Sequence, residues 1–466
     1  MAIKFGTDGW RAIISDEFTF ANVRIVAQAI MNYLHNHDLD KGQLIVGYDP
    51  RFLADKFAEE VVRVAESNCI SCLLPERETP TPVIAYSVKD QKACGAVMIT
   101  ASHNPPQYCG MKFIPEYAGP AGNEITKEIE KYIATPEVQY GIKCEHRATV
   151  NRFEPRNRSL KYLEGIIDVN VIKSSKLKIA YDPMYGSGRG YMDKALENFG
   201  IRADVIHGER DVLFGGRLPE PVEENLGELM DLVRDKGADI GLANDGDADR
   251  FAAVGEDGRF FSANEVISML ALYLIEEKGY RGAIVRSVAT THMLDKIAAR
   301  HKVKLYETPV GFKYIAERMM KEPVIIGGEE SGGLSIEGHI PEKDGILANL
   351  LIVEMVARKK KPLSAIFKDL EGKIGRHLTK RVNLHLPDDG KRALMEKLKS
   401  TPPKEFAGRK VVEVRSIDGA KFILDDGSWI LIRPSGTELL VRVYLESGSE
   451  ETLKAIEGEL ARLVGK

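Results

Sequence analysis

Short apolar runs of strand length alternate with helix-spaced segments from the start of the chain to about Gly375, and this alternation constrains the fold more than any other feature. Helical spacing from Arg24 to Leu34 is followed by the apolar run LIVGYD, Leu44 to Asp49, which ends in a turn before Pro50. Phe57 to Ser67 then reads as a helix and CISCLL as a strand. Thr81 to Lys89 reads as a helix after a proline-rich turn, and GAVMIT as the next strand. A chain that keeps inserting a helix between strands must layer those helices on a parallel or mixed sheet.

The rhythm restarts after the arginine-rich stretch Arg147 to Arg158, with KIAYD at Lys178 to Asp182 as a strand and a Gly186-Ser187-Gly188 turn before a helix. It restarts again after Asp257-Gly258, where Ala263 to Glu277 reads as a helix and GAIVRSV and PVIIGG as strands. Beyond Gly375 the texture changes to shorter strands, VVEVRS, KFILDD and WILIRP, with Asp-Gly turns and a closing amphipathic helix from Glu450 to Val464. The expected fold class is α/β, with three similar α/β domains carrying mixed sheets over 1–150, 151–256 and 257–372. A smaller C-terminal α+β domain follows over 373–466. The length of 466 residues fits such a division. No short-period repeat is present, so kinship among the units is that of diverged domains rather than of a solenoid.

Composition narrows the functional classes. Apolar residues make up 44% and charged residues 29%, as in an ordinary globular protein, and the net charge is only −4. That balance recommends neither nucleic acid nor an anionic membrane as partner, while leaving room for a local phosphate site. The opening MAIKFGTDGWRA has no apolar run behind a basic start, and no later stretch has the ~20 apolar residues of a membrane span. The chain therefore reads as soluble, unexported and cytoplasmic. Five cysteines are spread along it, an odd number that favours reduced thiols over a disulfide framework, and Cys69 and Cys72 of the lone CxxC read as idle thiols.

Four polar strings interrupt the apolar pattern. TASHNP, residues 100–105, follows GAVMIT directly, so Ser102 lies just past the C-terminal end of a strand, where α/β sheets bind ligands. On its own the string also suits a capped turn. NDGDADR, 244–250, spaces Asp245, Asp247 and Asp249 by two, which in an extended loop aims three carboxylates to one side, and their repulsion calls for a cation. An oxygen-only donor set suits magnesium, the alternative being a solvated Asp-Gly turn. RPSGTE, 433–438, offers a guanidinium fork, two hydroxyls and a glycine, and reads as a phosphate clamp or a β-turn. GEESGG, 328–333, places paired glutamates and a serine on a glycine-rich loop that can bind vicinal hydroxyls or lie exposed.

Together and in this order, FGTDGWR at 5–11, TASHNP, DGDADR, GEESGG and RPSGTE resemble the α-D-phosphohexomutase superfamily of phosphoglucomutases and phosphomannomutases, across nearly the whole chain. The resemblance implies four domains around one central cleft, each giving it a loop. It also implies interconversion of hexose 1-phosphate and hexose 6-phosphate, with hexose 1,6-bisphosphate as intermediate and activator. Ser102 would carry the transferable phosphoryl group and, with Asp245, Asp247 and Asp249, would bind one Mg2+. Arg11 and Arg250 would steady charge there, His103 would sit beside it, and Lys112 would transfer a proton. Glu329 and Ser331 would read sugar hydroxyls, while Arg433, Ser435, Gly436 and Thr437, with Arg442, would hold the non-reacting phosphate. The implied partner is a small phosphosugar, the implied assembly a monomer or homodimer.

Several positions depart from the family pattern, namely Ala12, Cys109, Leu439 and Gly333. At Gly333, mannose- and glucosamine-type relatives carry a histidine, so any proton transfer falls to Lys112 or Lys313. TPVGFKYI, 308–315, resembles the glucose-type branch and puts Lys313 within reach of phosphate or ring hydroxyls. Glucose 1-phosphate is accordingly the expected substrate, ahead of mannose and glucosamine 1-phosphates. A magnesium-dependent phosphatase and a sugar-bisphosphate synthase are the rival enzyme classes.

Overall fold

The computed structural model describes residues 3–6, 8–134, 148–434 and 440–463. Four sheets follow one another along the chain. The first runs, edge to edge, Trp10–Ile13, Tyr108–Pro115, Gly95–Ile99, Leu44–Tyr48, Cys72–Pro75 and Val150–Phe153. Its last four strands are parallel, and Tyr108–Pro115 returns antiparallel to Gly95–Ile99. The second sheet pairs Asp204–Val205, Ile179–Asp182 and Ile240–Asn244 in parallel, then turns back through Phe251–Gly255 and Phe260–Phe261. The third repeats the plan: Lys304–Thr308, Ala283–Ser287 and Val324–Gly328 are parallel and Leu334–Ile336 returns antiparallel.

In all three sheets the turn from the last parallel strand into the antiparallel one carries a polar string singled out above. These are residues 100–107 after Gly95–Ile99, residues 245–250 after Ile240–Asn244, and residues 329–333 after Val324–Gly328. The fourth sheet is antiparallel throughout, in the order Leu378–His385, Leu440–Ser447, Trp429–Pro434, Ala420–Leu424, Arg409–Arg415 and Glu405–Phe406. Helices Asp388–Ser400 and Glu450–Leu463 accompany it.

Two readings of the junctions change. Asp257-Gly258 is the turn of a hairpin within the second sheet, because Phe260–Phe261 pairs back onto Phe251–Gly255; Gly258, at φ +80°, supplies the left-handed residue such a turn requires. Val150–Phe153 belongs to the first sheet, beside Cys72–Pro75. Polar hairpin turns and interdomain linkers draw on the same residues, so composition cannot separate them. The reading of Cys69 changes too: it is disulfide-bonded, whereas Cys72, Cys94 and Cys109 are free and buried. A disulfide partner is set by the fold and not by local spacing.

The second and third units share one hydrophobic core, from Leu160 through Phe261 to Leu370. Helix Gly345–Lys359 runs through it, apolar on almost every side and buried continuously from Gly345 to Ala357. Its N-terminus is capped by Asp344, whose Oδ1 accepts from the Ile346 and Leu347 N–H groups at 2.9 Å. Among the described residues no helix is long and apolar enough to cross a membrane.

Candidate active site

Ser102 is placed by a buried arginine. The Arg51 guanidinium, with no exposed surface, donates to the main-chain oxygens of Ser102, Asn104, Pro105 and Tyr108 at 2.7–2.9 Å and pairs with Asp49 at 3.1 Å. The loop is thus wrapped around one cation. Thr100 Oγ1 donates to Asp49 at 2.6 Å and accepts from the Ser102 N–H at 2.9 Å. Ser102 adopts φ 53°, a left-handed conformation rare outside glycine that the surrounding bonds must hold. The result turns its 2% exposed side chain toward the second unit, where Oγ donates to Asp245 Oδ2 at 2.8 Å.

The carboxylate loop is stapled at its base. Asn244 Nδ2 donates to the Arg250 carbonyl at 2.8 Å, and Asn244 Oδ1 accepts from Tyr181 Oη and from Asn349 Nδ2, each at 3.0 Å. Between those ends Asp245, Asp247 and Asp249 are completely buried, with carboxylate oxygens within 4.8 Å of one another. Gly246 lets the two loops meet, since a Cβ there would stand 2.7 Å from the Ser102 carbonyl oxygen.

Burial and the neighbouring Asp247 and Asp249 push Asp245 well above the carboxylate range. Burial acts the same way on Asp247, but Lys112, Thr81 and Lys343 outweigh it and hold that carboxyl low. Thr81 Oγ1 donates to Asp247 Oδ2 at 2.6 Å, and Lys112 Nζ stands 3.0 Å from Asp8, Asp247 and Asp249. Lys343 Nζ pairs with Asp249 at 3.0 Å and Asp8 at 3.1 Å. Among the described residues Asp247 Oδ1 and Asp249 Oδ1 nonetheless find no hydrogen-bond partner. Two orphaned, buried oxygens in an oxygen-only cluster are what a hard divalent cation takes up, so the residues fit a Mg2+ site.

The remaining candidates lie around this centre. Arg11 Nη1 donates to Asn104 Oδ1 at 2.7 Å, behind the serine loop. His103 Nδ1 is 3.4 Å from Ser102 Oγ; burial first, then Arg250, Arg11, Arg442 and Arg51, depress the imidazole far below its usual value and keep it neutral. Arg250 receives its main-chain anchor from Asp245 Oδ1, at 3.0 Å from the Arg250 N–H. Glu329, 6% exposed, accepts from the Gly311 N–H at 2.8 Å, which binds the GEESGG string to the turn preceding Lys313. Lys313 itself is buried, with Nζ 5.6 Å from the Tyr314 ring centre, and Ser331 is half-buried on the same loop as Glu329. Arg433 donates to Asp418 at 2.7 Å and lies opposite Arg442 in the fourth sheet. Ser435, Gly436 and Thr437 lie outside the described residues.

Models of the phosphoglucomutase/phosphomannomutase family match the chain in four successive pieces: alpha/beta/alpha domain I over residues 2–139, domain II over 157–258, domain III over 262–373 and the C-terminal domain over 382–463. The chain belongs to the phosphoglucomutase/phosphomannomutase family. It is a phosphohexomutase, an intramolecular phosphotransferase. It is 32% identical to a phosphoglucomutase/phosphomannomutase of Thermococcus kodakarensis over 458 residues, covering 97% of this chain and 96% of that one. A probable phosphoglucosamine mutase of Methanosphaera stadtmanae is also 32% identical, over 456 residues, with 97% and 96% covered. The crystal structure of a candidate phosphomannomutase from Thermus thermophilus superposes with a TM-score of 0.88 at 34% identity, covering both chains completely.

Four parts of this phosphohexomutase's centre escape a reading of the sequence. Arg51 and Thr81 sit in segments that look like ordinary turns, and Asp8 falls inside a motif without being singled out by it. Lys343 is the most informative. A Cβ on Gly333 would lie 2.8 Å from Lys343 Cδ, so the lysine stem occupies the space that a side chain at 333 would need. The departure at Gly333 was the available signal, since a glycine in place of a bulky residue invites a neighbour to fill the gap.

Proposed function

We propose that this phosphohexomutase interconverts hexose 1-phosphate and hexose 6-phosphate, with glucose preferred, through a phosphoserine at Ser102 and a hexose 1,6-bisphosphate intermediate. The observation that carries the reading is the 2.8 Å contact from Ser102 Oγ to Asp245, made inside a buried carboxylate cluster that has two orphaned oxygens. Asp245, Asp247 and Asp249, with a phosphoryl oxygen on Ser102, would hold Mg2+, which when bound neutralises charge on the transferring group.

The chain's own residues divide the remaining work. The bond from phosphorus to Ser102 Oγ breaks as a sugar hydroxyl oxygen bonds to phosphorus, and the proton the hydroxyl gives up is matched by the one that Ser102 Oγ takes as it departs. Return transfer from the other end of the bisphosphate restores the phosphoserine. Burial opposes the charge on Lys112 and Lys343, but Asp249, Asp247 and Asp8 outweigh it and hold both as ammonium ions, which suits them to stabilise negative charge on the phosphoryl group in transit. Neutral His103 adds no charge beside Ser102. Arg11 and Arg250 steady the phosphoryl oxygens, Glu329 and Ser331 read the sugar, Lys313 reaches its phosphate or ring hydroxyls, and Arg433 with Ser435, Gly436 and Thr437 grips the far phosphate. Hexose 1,6-bisphosphate would act as activator by rephosphorylating Ser102. The enzyme would work in the cytoplasm as a monomer or homodimer.

The preference for glucose rests on TPVGFKYI and on the Glu-Glu-Ser of GEESGG. Relatives named as phosphoglucosamine mutases keep glucosamine 1-phosphate in contention. Specificity constants for glucose, mannose and glucosamine 1-phosphates decide the point, and a value for either competitor at or above that for glucose refutes it. The decisive test of mechanism is Ser102→Ala. It should abolish turnover, remove a phosphoryl adduct visible by intact mass in the parent, and leave the melting temperature nearly unchanged. Mutase activity surviving in this variant rules out the phosphoserine, and net release of phosphate by the parent favours a phosphatase.

A further inference from the structure

Arg381 lies on Leu378–His385 in the fourth sheet, in register with Tyr444, with 30% of its side chain exposed. One guanidinium nitrogen, Nη1, is 3.6 Å from Glu330 Oε1, and the other, Nη2, is 3.9 Å from Glu220 Oε1. These two carboxylates come from different places. Glu330 stands on the loop that follows Val324–Gly328, beside Glu329 and Ser331. Glu220 belongs to the second unit, and its Oε1 is also 3.5 Å from Arg250 Nη1, beside the carboxylate loop. A single cation of the fourth unit therefore faces carboxylates of both the second and the third, and through Glu220 reaches Arg250 at the end of the carboxylate loop.

The lengths of these contacts matter. Both exceed ordinary hydrogen-bond distance, so they are charge contacts that can part without breaking a hydrogen-bonded lattice. Elsewhere between the third and fourth units the ion pairs are shorter, as between Lys421 and Glu307 at 3.2 Å and between Arg415 and Glu307 at 3.1 Å. The Arg381 contact is the looser one, and it spans three units.

We propose that Arg381 is a positioning residue, a strut that keeps the fourth unit closed over the bisphosphate while it turns round between its two transfers. This rests on the phosphoserine and bisphosphate reading above. An intermediate that must release its grip at both ends without escaping needs a closure that does not depend on the intermediate's own phosphates, and Arg381 with Glu220 and Glu330 provides one.

The test compares the magnesium-loaded parent with Arg381→Gln and Arg381→Lys, turning over glucose 1-phosphate, and measures bisphosphate released to solution per turnover. Arg381→Gln should release roughly fivefold more, as expected for about 1 kcal/mol of lost charge contact. It should also stall with unphosphorylated Ser102 and recover when glucose 1,6-bisphosphate is added. Arg381→Lys, which keeps the charge, should retain the intermediate better than Arg381→Gln. Glu330→Gln should leak as well, and pairing it with Arg381→Gln should add less than the sum of the two. A parent that never forms bisphosphate overturns the phosphoserine reading and the strut with it. A parent that forms it while Arg381→Gln releases no more than the parent overturns the strut alone, as does a change confined to the melting temperature.

Discussion

The junction between the second and third units and the junction between the third and fourth are built by different physics. The first is one uninterrupted apolar core, threaded by helix Gly345–Lys359, which packs against strands and helices of both units. The second has a small apolar patch of Val288, Ala289, Trp429, Leu431 and Tyr444, beside charged groups. There Lys421, fully buried, donates to the Val288 carbonyl at 2.8 Å, pairs with Glu307 at 3.2 Å and lies 4.1 Å over the Trp429 ring. Arg286 and Arg415 also pair with Glu307, at 2.5 and 3.1 Å. A shared core makes two units one body, whereas a small patch edged with ion pairs lets a folded unit dock and undock without unfolding.

The sharpest way to break this contrast is to cut the core. Leu350→Ala, at a position with no exposed surface, should cost about 2–5 kcal/mol, and the second and third units should lose stability together in urea. Amide exchange that rises in only one of the two would show that they are separate bodies. A smaller effect should follow from Lys421→Met. It leaves the Val288 carbonyl without its donor and should weaken docking of the fourth unit by about 1–3 kcal/mol, with the other three unaffected. Trp429 fluorescence in a Trp10→Phe background reports that docking directly, because the chain has only two tryptophans.

The smallest effect is a pH dependence. Burial alone would raise Glu307, but Arg286 and Lys421 prevail and hold it down at about 2. Arg286 lies on the same unit and stays beside Glu307 after undocking, so only the share due to Lys421 and Arg415 links docking to pH; that share is present above pH 4.5 and is lost as pH falls toward about 2. Trp429 fluorescence should therefore report progressive undocking across that window, and Glu307→Gln should flatten the change. An unaltered acid profile in Glu307→Gln would assign the docking to the apolar patch alone.

The alternation of helices and strands was legible because each buried strand is a contiguous apolar run, and the polar strings stood out against those runs. Ser102 and Asp245 were legible for the same reason, as polar groups placed directly after GAVMIT and IGLA. Their contact was not, since 143 positions separate them and nothing local records the pairing. Thr81 and Lys343 gain their meaning only where three units bring them to the same carboxylate cluster. Asp257-Gly258 misled because a hairpin turn and a linker look alike until the returning strand is seen. Cys69 misled because an oxidised partner can lie anywhere along the chain.

Gly333 and Lys343 also constrain how this enzyme can change over time. The lysine stem fills the volume above Gly333 and cannot swing clear, because its ammonium is pinned between Asp8 and Asp249. A histidine acquired at 333 would strike that stem, so the stem would have to shift and loosen its hold on Asp8 and Asp249. Loss of the lysine first would leave Asp249 and Asp8 short of a positive neighbour. The two positions thus constrain each other: a side chain at 333 and the lysine at 343 compete for one volume, so a change at either is felt at the other.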